Sequence, residues 1–249
     1  MKTISSLDFT DPKTFLLSLV LIFIIIFLRY LLLSGAYQSL IFKIFQKSNK
    51  ERILFVPKNN SKQIKRELKL SSYSAIIFSV MGMLLLVLWQ LGFTQIYTDN
   101  YEYSLWYIPL SIIIFLLIHD FYYYWLHKWM HESKILRRFH MHHHKSVNTT
   151  AFTSFSFHPV ESVLQGVIVP IIVIVLPMSL LALSITLILM TISAIINHGG
   201  VEIYPLGKKF KFFGKHIIGA THHDHHHRNV KKNYGLYFTF WDRIMKTER

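Results

Sequence analysis

The chain alternates long apolar stretches with short polar segments that are mostly basic. Three apolar runs each supply the roughly 20 residues that a helix needs to cross a hydrocarbon core. These runs are Phe15–Leu33, Tyr73–Phe93 and Leu105–Leu126. A longer apolar stretch, Val163–Ile196, contains Pro170 and Pro177, either of which can interrupt a helix. The pattern therefore predicts an all-α integral membrane bundle of four to five membrane helices, with the last stretch folded as a hairpin.

Charge placement predicts how this bundle is oriented. The polar segment Lys43–Lys69 is rich in lysine and arginine, whereas Thr94–Ser104 carries two acids and no basic residue. Basic loops favour the cytoplasmic side of a membrane. We therefore expect Lys43–Lys69 and the basic region after Leu126 to face the cytoplasm. As domains, residues 1–104 would hold the N-terminal membrane helices and a basic loop, integrated with a catalytic region at 105–249.

Composition agrees with a membrane protein. The 249 residues are 52% hydrophobic and only 16% charged, and the formal net charge is +14 with histidines neutral. Because the basic residues lie beside apolar spans, an anionic membrane surface is the simpler partner, and no nucleic acid is expected. The chain has no cysteine, which excludes disulfides and thiolate sites.

Most of the 15 histidines lie in three short boxes that follow helical spacing. One box has histidines four residues apart, and two boxes have the spacing i, i+3, i+4, so each box places its histidines on one helix face. The boxes are His127 and His131; His140, His143 and His144; and His223, His226 and His227. His142 and His225 lie about 200° round the helix from the first histidine of their boxes and should point away. The boxes thus predict a histidine-rich helical cap on the cytoplasmic face.

Repeated histidine boxes favour a centre with two metal ions. Neutral imidazole binds zinc, iron, copper and nickel, and a zinc hydrolase would need only about three protein ligands. Soluble di-iron bundles use Glu and Glu-x-x-His, a pattern that is absent here. His198 ends the last apolar stretch and could face the same centre. The alternative is a histidine-rich protein that transports or stores zinc or iron, although a transporter places polar ligands near the middle of its spans.

Six motifs in this order resemble the fatty acid hydroxylase and sterol desaturase superfamily over about residues 105–245. The motifs are HDFYYYWLHKWMH, FHMHHH, HPVE, NHGG, HHDHHH and NYGLYFTFWDRI. The chain looks most similar to the sterol methyl oxidases, cholesterol side-chain hydroxylases and sterol desaturases. It departs from their pattern at RIMKT, where an aromatic-glycine-threonine ending is usual, and residues 1–70 resemble nothing we can name.

The resemblance implies a membrane enzyme with two iron ions, which uses O2 and outside electrons to hydroxylate or desaturate a C–H bond of a lipid such as a sterol or fatty acyl chain. No haem-domain HPGG motif is present, so the electron donor would be a separate small haem cytochrome or a ferredoxin with its reductase. The membrane would be a bacterial inner membrane or the endoplasmic reticulum.

The resemblance also implies which residues form the site. It assigns ten metal ligands and four supporting residues. The ligands are His127, His131, His140, His143, His144, His198, His222, His223, His226 and His227, and the supporting residues are Asp120, Glu161, Asn233 and Asp242. From the residues themselves, Asp120 and Asp224 are candidates to orient imidazoles through their second nitrogens. His158 precedes a proline, which disfavours helix there, and is a candidate helper rather than a ligand.

Overall fold

The computed structural model describes residues 7–55, 61–99, 102–204 and 211–249, except for the side chains of 211–213. These residues are mainly helical. The α-helices are α1 Pro12–Ala36, α2 Phe42–Ser48, α3 Ser61–Gln90, α4 Tyr107–Glu132, α5 Lys134–His144, α6 Pro159–Gly166, α7 Ile168–Val175, α8 Leu180–His198, α9 Lys211–His216, α10 Ala220–Arg228 and α11 Phe240–Ile244. A π-helical turn, Tyr37–Ile41, joins α1 to α2, and 3-10 turns cover Lys50–Arg52 and Ala151–Phe155.

Two very short strands complete the regular structure of the described part of the chain. β1 Ile96–Tyr97 pairs in parallel with β2 Met178–Ser179, with Ile96 opposite Met178. The all-α fold class predicted from the sequence is thus confirmed.

Four of the helical segments are long and apolar enough to cross a membrane. They are Pro12–Ser48, Ser61–Gln90, Tyr107–Glu132 and Leu180–His198. Their outward faces carry exposed large apolar side chains, such as Leu16, Leu21 and Leu32 on α1. In water such surfaces would be unfavourable, and in a bilayer they are the surfaces that contact lipid. The protein is therefore a membrane protein, as the apolar runs predicted.

The predicted hairpin is present, and its two prolines account for its shape. Its first arm is the shorter apolar segment Pro159–Val175, which is interrupted between α6 and α7. Pro170 has no N–H to donate to the carbonyl of Gly166, and α6 ends at Gly166. The chain then reverses at Pro177, just before β2. A side-chain cap starts the second arm, because Ser179 accepts a hydrogen bond from the N–H of Ala182.

All the long helices are arranged so that one end of the bundle carries the histidines. Helices α4 and α8 both end there, at Glu132 and His198. The last part of α1 reaches the same end, where the Tyr30 hydroxyl donates to the carbonyl of Phe152 at 2.8 Å. At the opposite end, the N–H of Gln95 donates to the carbonyl of Val173 at 2.8 Å. Between the two ends lies an apolar core of α3, α4, α7 and α8 around Phe115 and Ile172.

Close packing of α1 against the end of α8 depends on one glycine. Gly199 caps α8, and a Cβ atom there would lie 2.0 Å from the ring of Tyr37. The Tyr37 hydroxyl donates to the carbonyl of Val201 at 3.1 Å, which fixes the chain directly after His198. Glycine at this position thus brings α1 into contact with the helix that carries His198.

Candidate metal centre

Nine of the ten predicted ligands converge in two buried groups. In each group, the ligand atoms lie within 4.8 Å of one another. The first group is His127, His131, His140, His144 and His226, and the second is His143, His198, His223 and His227. All nine side chains are at least nine-tenths buried. Either group could hold a metal ion.

Each i, i+3, i+4 box contributes to both groups. In α5, the i, i+4 pair His140 and His144 joins the first group and His143 joins the second. In α10 the division is reversed, because the i, i+4 pair joins the second group and His226 joins the first. Residues three and four positions after a given residue diverge by about 100° around a helix, so one box can address two neighbouring points. Helix α4 adds two ligands to the first group, and α8 adds one to the second.

Hydrogen bonds to Nδ1 orient five of the nine imidazoles. Four rings bond backbone carbonyls and one bonds a carboxylate, so Nδ1–H is the donor in each case. The pairs are His127 with the carbonyl of Tyr234 at 2.9 Å, His143 with that of Ser156 at 3.3 Å, His198 with that of Ala194 at 2.7 Å, His226 with that of Lys232 at 2.7 Å, and His140 with Glu161 at 2.8 Å. A neutral ring that carries its proton on Nδ1 presents a lone pair at Nε2, which is the form that binds metal.

The Nε2 atoms then face one another in pairs that lack a proton to share. His127 and His140 approach at 3.1 Å between their Nε2 atoms, and both rings place their proton on Nδ1. His143 and His198 make the same contact at 3.1 Å in the second group. Two lone pairs at this distance repel each other unless a cation lies between or beside them. The ligand sets therefore fit one metal ion in each group.

Burial keeps the ligands outside the spanning helices neutral at physiological pH. Desolvation lowers the pKa of His226 to about 4, and it lowers the pKa values of His140, His143 and His144 well below their usual range. Neighbouring imidazoles lower these values further, because a second positive charge nearby would be repelled. Metal binding at neutral pH would thus not have to displace protons from these nitrogens.

Glu161, which was predicted as a supporting residue, lies directly behind a ligand. Its side chain is fully buried, and Oε1 accepts from both His140 Nδ1 and Gln165 Nε2 at 2.8 and 2.9 Å. Gln165 lies one turn after Glu161 on α6, so the helix itself holds the carboxylate in position. The HPVE motif thus supplies the acceptor that orients a ligand from the FHMHHH motif.

The segment Lys232–Tyr234 supplies two of the orienting carbonyls, and both serve the first group. Asn233, between them, has φ of 61°, a left-handed conformation that asparagine tolerates better than most residues. Its Nδ2 donates to the carbonyl of His222 at 2.9 Å. Carbonyl acceptors of this kind cannot be read from residue types. The asparagine at a sharp turn beside the last box is the only signal for them in the sequence.

Asp242, also predicted as supporting, holds this segment from the far side. It is fully buried and accepts hydrogen bonds from the N–H groups of Tyr234 and Gly235 at 2.8 and 2.9 Å and from the Thr247 hydroxyl at 2.7 Å. It does not touch an imidazole of either group directly. Its effect on His127 passes through the peptide of Tyr234, whose carbonyl accepts from the ring.

Asp120 and Asp224 were candidates to orient imidazoles, but in the described structure both accept hydrogen bonds from other groups. Asp120 Oδ1 accepts from the N–H of Tyr237 at 2.8 Å, with Leu236 and Phe238 slightly farther away, and so holds the chain after the NYG motif. Asp224 accepts from Arg228 Nε at 2.8 Å. His158 caps α6 by accepting from the N–H of Val160 at 3.2 Å.

Three histidines within or next to the last two boxes lie outside both groups. His222 was predicted as a tenth ligand, but its Nε2 lies 3.7 Å from Asp242 Oδ2 instead. It precedes His223 by one residue, and the 100° turn per residue directs it away from the second group. His142 and His225 are half-buried and also lie outside the groups, where the helical spacing placed them.

Comparisons with known proteins agree with this site. The profile of the fatty acid hydroxylase family matches residues 112–247, more than half of the chain. Human lathosterol oxidase is 31% identical over 184 residues, which cover 73% of this chain and 60% of the human protein. A Delta(7)-sterol 5(6)-desaturase from Leptosphaeria maculans is 27% identical over 192 residues, or 75% of this chain and 51% of the fungal protein. The chain thus spans about half to three fifths of the length of these relatives. No solved structure matches it significantly. The matched region contains all nine converging histidines, and the chain belongs to the fatty acid hydroxylase family.

Proposed function

We propose that this chain is a membrane oxidoreductase with two iron ions that hydroxylates or desaturates a C–H bond of a lipid, using O2 and electrons from a separate donor protein. The observation that carries the proposal is the convergence of nine imidazoles in two groups at one end of an apolar helical bundle. The relatives add the chemical direction, because their names describe oxidation and desaturation of sterols.

The ligand chemistry supports iron. All nine donors are imidazole nitrogens, which suit iron as well as zinc, copper and nickel. Side chains supply no oxidant strong enough for an unactivated C–H bond, so bound iron would supply the reactivity with O2 that this reaction requires. The protein's own contribution would be to offer one ligand group to each ion, to fix the imidazoles through Nδ1, and to keep water away from the buried ligands.

The placement of the site supports a substrate that stays in the bilayer. Helices α4 and α8 have apolar outward faces along their length and end at ligands of the two groups. A lipid could therefore reach the site from between the helices without leaving the membrane. Described parts of the basic regions lie at the histidine end of the bundle, where Arg66 donates to the Ser146 hydroxyl at 2.8 Å, and their charge supports a cytoplasmic site.

The proposal is tested with iron-loaded protein in lipid nanodiscs. The protein is reduced with dithionite under nitrogen, mixed with buffer that contains O2, and supplied with either lathosterol or a long-chain fatty acyl lipid. Mass spectrometry should detect a product with one added oxygen or with two fewer hydrogens. The product should be absent from the His226→Ala variant and from samples kept without O2. Protein that holds two irons and consumes O2 but forms no lipid product would contradict the proposal.

A further inference from the structure

A pocket lined by several charged side chains opens beside the first histidine group. Its volume is about 450 Å³, and it lies between the end of α4, the start of α5 and the segment that follows α10. Three cationic side chains, Lys128, Arg137 and Lys231, line it together with one carboxylate, Glu132. The ring of His131, a member of the first group, also lines the pocket.

The pocket carries a net positive charge. Lys128 and Glu132 form an ion pair with an N–O distance of 3.8 Å, which offsets one cation. Arg137 and Lys231 are exposed, and within the described ranges neither forms an ion pair. Two uncompensated cations therefore flank the opening, and they would attract an anionic surface.

His131 connects this opening to the metal-binding nitrogens. It is 8% exposed, whereas the other eight histidines of the two groups are at most 4% exposed. Its Nε2 lies 3.1 Å from Nε2 of His226, within the first group. The ring of His131 thus lies between the pocket and the nitrogen atoms that would hold a metal ion.

The lining differs from the surfaces that would contact lipid chains. Apart from His131, most of it is charged, and its apolar surface comes from Val230, Tyr234 and the stems of the longer side chains. The apolar surfaces of the protein lie instead on the outward faces of the spanning helices. The site is therefore approached from two chemically different sides, one apolar and one cationic.

We propose that this cationic pocket is the docking surface for an acidic one-electron carrier protein, which delivers its electrons to the first histidine group through the ring of His131. The inference rests on the proposed function, which requires electrons from outside the chain. In each transfer, the carrier would be oxidised by one electron and an ion held by the first group would be reduced by one, with no bond formed or broken. Charge complementarity selects an acidic carrier, because two unpaired cations would repel a basic one.

The experiment compares two double charge reversals in nanodiscs made only of zwitterionic lipid. Arg137→Glu with Lys231→Glu changes the pocket. Lys43→Glu with Lys47→Glu is the matched control, because α2 also follows the histidine end of α1 and both lysines are exposed. Both double variants change the net charge equally. The probe is a reduced acidic [2Fe–2S] ferredoxin, whose oxidation by the iron-loaded protein is followed by stopped-flow absorbance over a range of salt concentrations.

The pocket variant should slow ferredoxin oxidation roughly tenfold at low salt and flatten its salt dependence, since steering by local charge changes association rates by at least this factor. The control should oxidise ferredoxin at the wild-type rate. Equal rates for both variants, equal losses for both, or wild-type protein that accepts electrons from dithionite but not from ferredoxin would overturn the proposal. So would a pocket-variant defect that is found only when phosphatidylserine is added, because the cations would then bind lipid headgroups.

A separate arm distinguishes this inference from the proposed function. Wild-type and pocket-variant proteins are reduced completely with dithionite before O2 and lipid are added, and product is measured after a single turnover. The pocket variant should form as much product as wild type. Absence of product from both proteins would contradict the proposed function, while the ferredoxin rates would still decide where electrons enter.

Discussion

Glu161 Oε1 lies 2.8 Å from Nδ1 of His140, and both side chains are almost completely buried. The contact joins the HPVE motif on α6 to the second histidine box on α5. It fixes the ring proton on Nδ1 and directs the Nε2 lone pair into the first group. His140 and Glu161 are 21 residues apart in sequence, and the contact makes their motifs one structural unit.

Replacing Glu161 should weaken metal binding in the first group. Glu161→Ala leaves His140 Nδ1 without its acceptor, and losing a partner of this kind costs about 10- to 100-fold in metal affinity. Glu161→Gln keeps an acceptor oxygen and should cost less. Competition with a metal-binding dye would measure both. Glu132→Ala is the control, because Glu132 is an exposed neighbour of the site whose one ion pair among the described residues is with Lys128. Wild-type affinity in Glu161→Ala would contradict this role.

Asp242 should act on the first group selectively. Asp242→Ala removes the acceptor for the N–H groups of Tyr234 and Gly235, so the Tyr234 carbonyl would no longer be held against His127. Leaving these buried donors unpaired should also destabilise the protein by about 1–3 kcal/mol per group. The second group has no orienting carbonyl from this segment. Metal content should therefore fall from about two ions per chain to about one, and loss of both ions in a variant that stays folded would contradict the selective effect.

His222 should be dispensable for metal binding. Its ring lies against Asp242 and outside both groups, so His222→Ala should bind as much metal as wild type. His223→Ala, one residue later, should lose metal from the second group. Metal analysis of the two variants after identical purification makes the comparison. Loss of an ion from His222→Ala would restore it as a ligand, as the family resemblance implied.

Local spacing predicted which parts of the chain are helical and which histidines share a helix face. The apolar runs gave the spanning helices, and the i, i+3, i+4 boxes gave helices α5 and α10 with their histidines on one face. The spacing did not predict how the boxes divide between two groups, since this depends on how α4, α5, α8 and α10 pack together. Spacing also did not predict that His223 joins the second group while His222 stays outside it, since this depends on where α10 begins.

The backbone contacts could not be predicted from the sequence, for a different reason. The carbonyls of Lys232 and Tyr234 orient ligands in the first group, but every residue has a carbonyl, so residue type carries no signal. For Asp120, the residue type did carry a signal, but it suggested a partner that differs from the one in the structure. Its carboxylate was a candidate to orient an imidazole, yet it accepts from the N–H of Tyr237, because the chain after the NYG motif packs against that face of α4.

The most direct test of the two-ion account is metal content per chain. The protein should be purified without a histidine tag from iron-supplemented cells, beside His226→Ala, His143→Ala and the double variant, which alter the first group, the second group and both. Wild type should hold about two irons, each single variant about one, and the double variant almost none. Zinc in place of iron, or a single ion that no variant removes, would contradict a two-iron centre and favour a metal-handling protein.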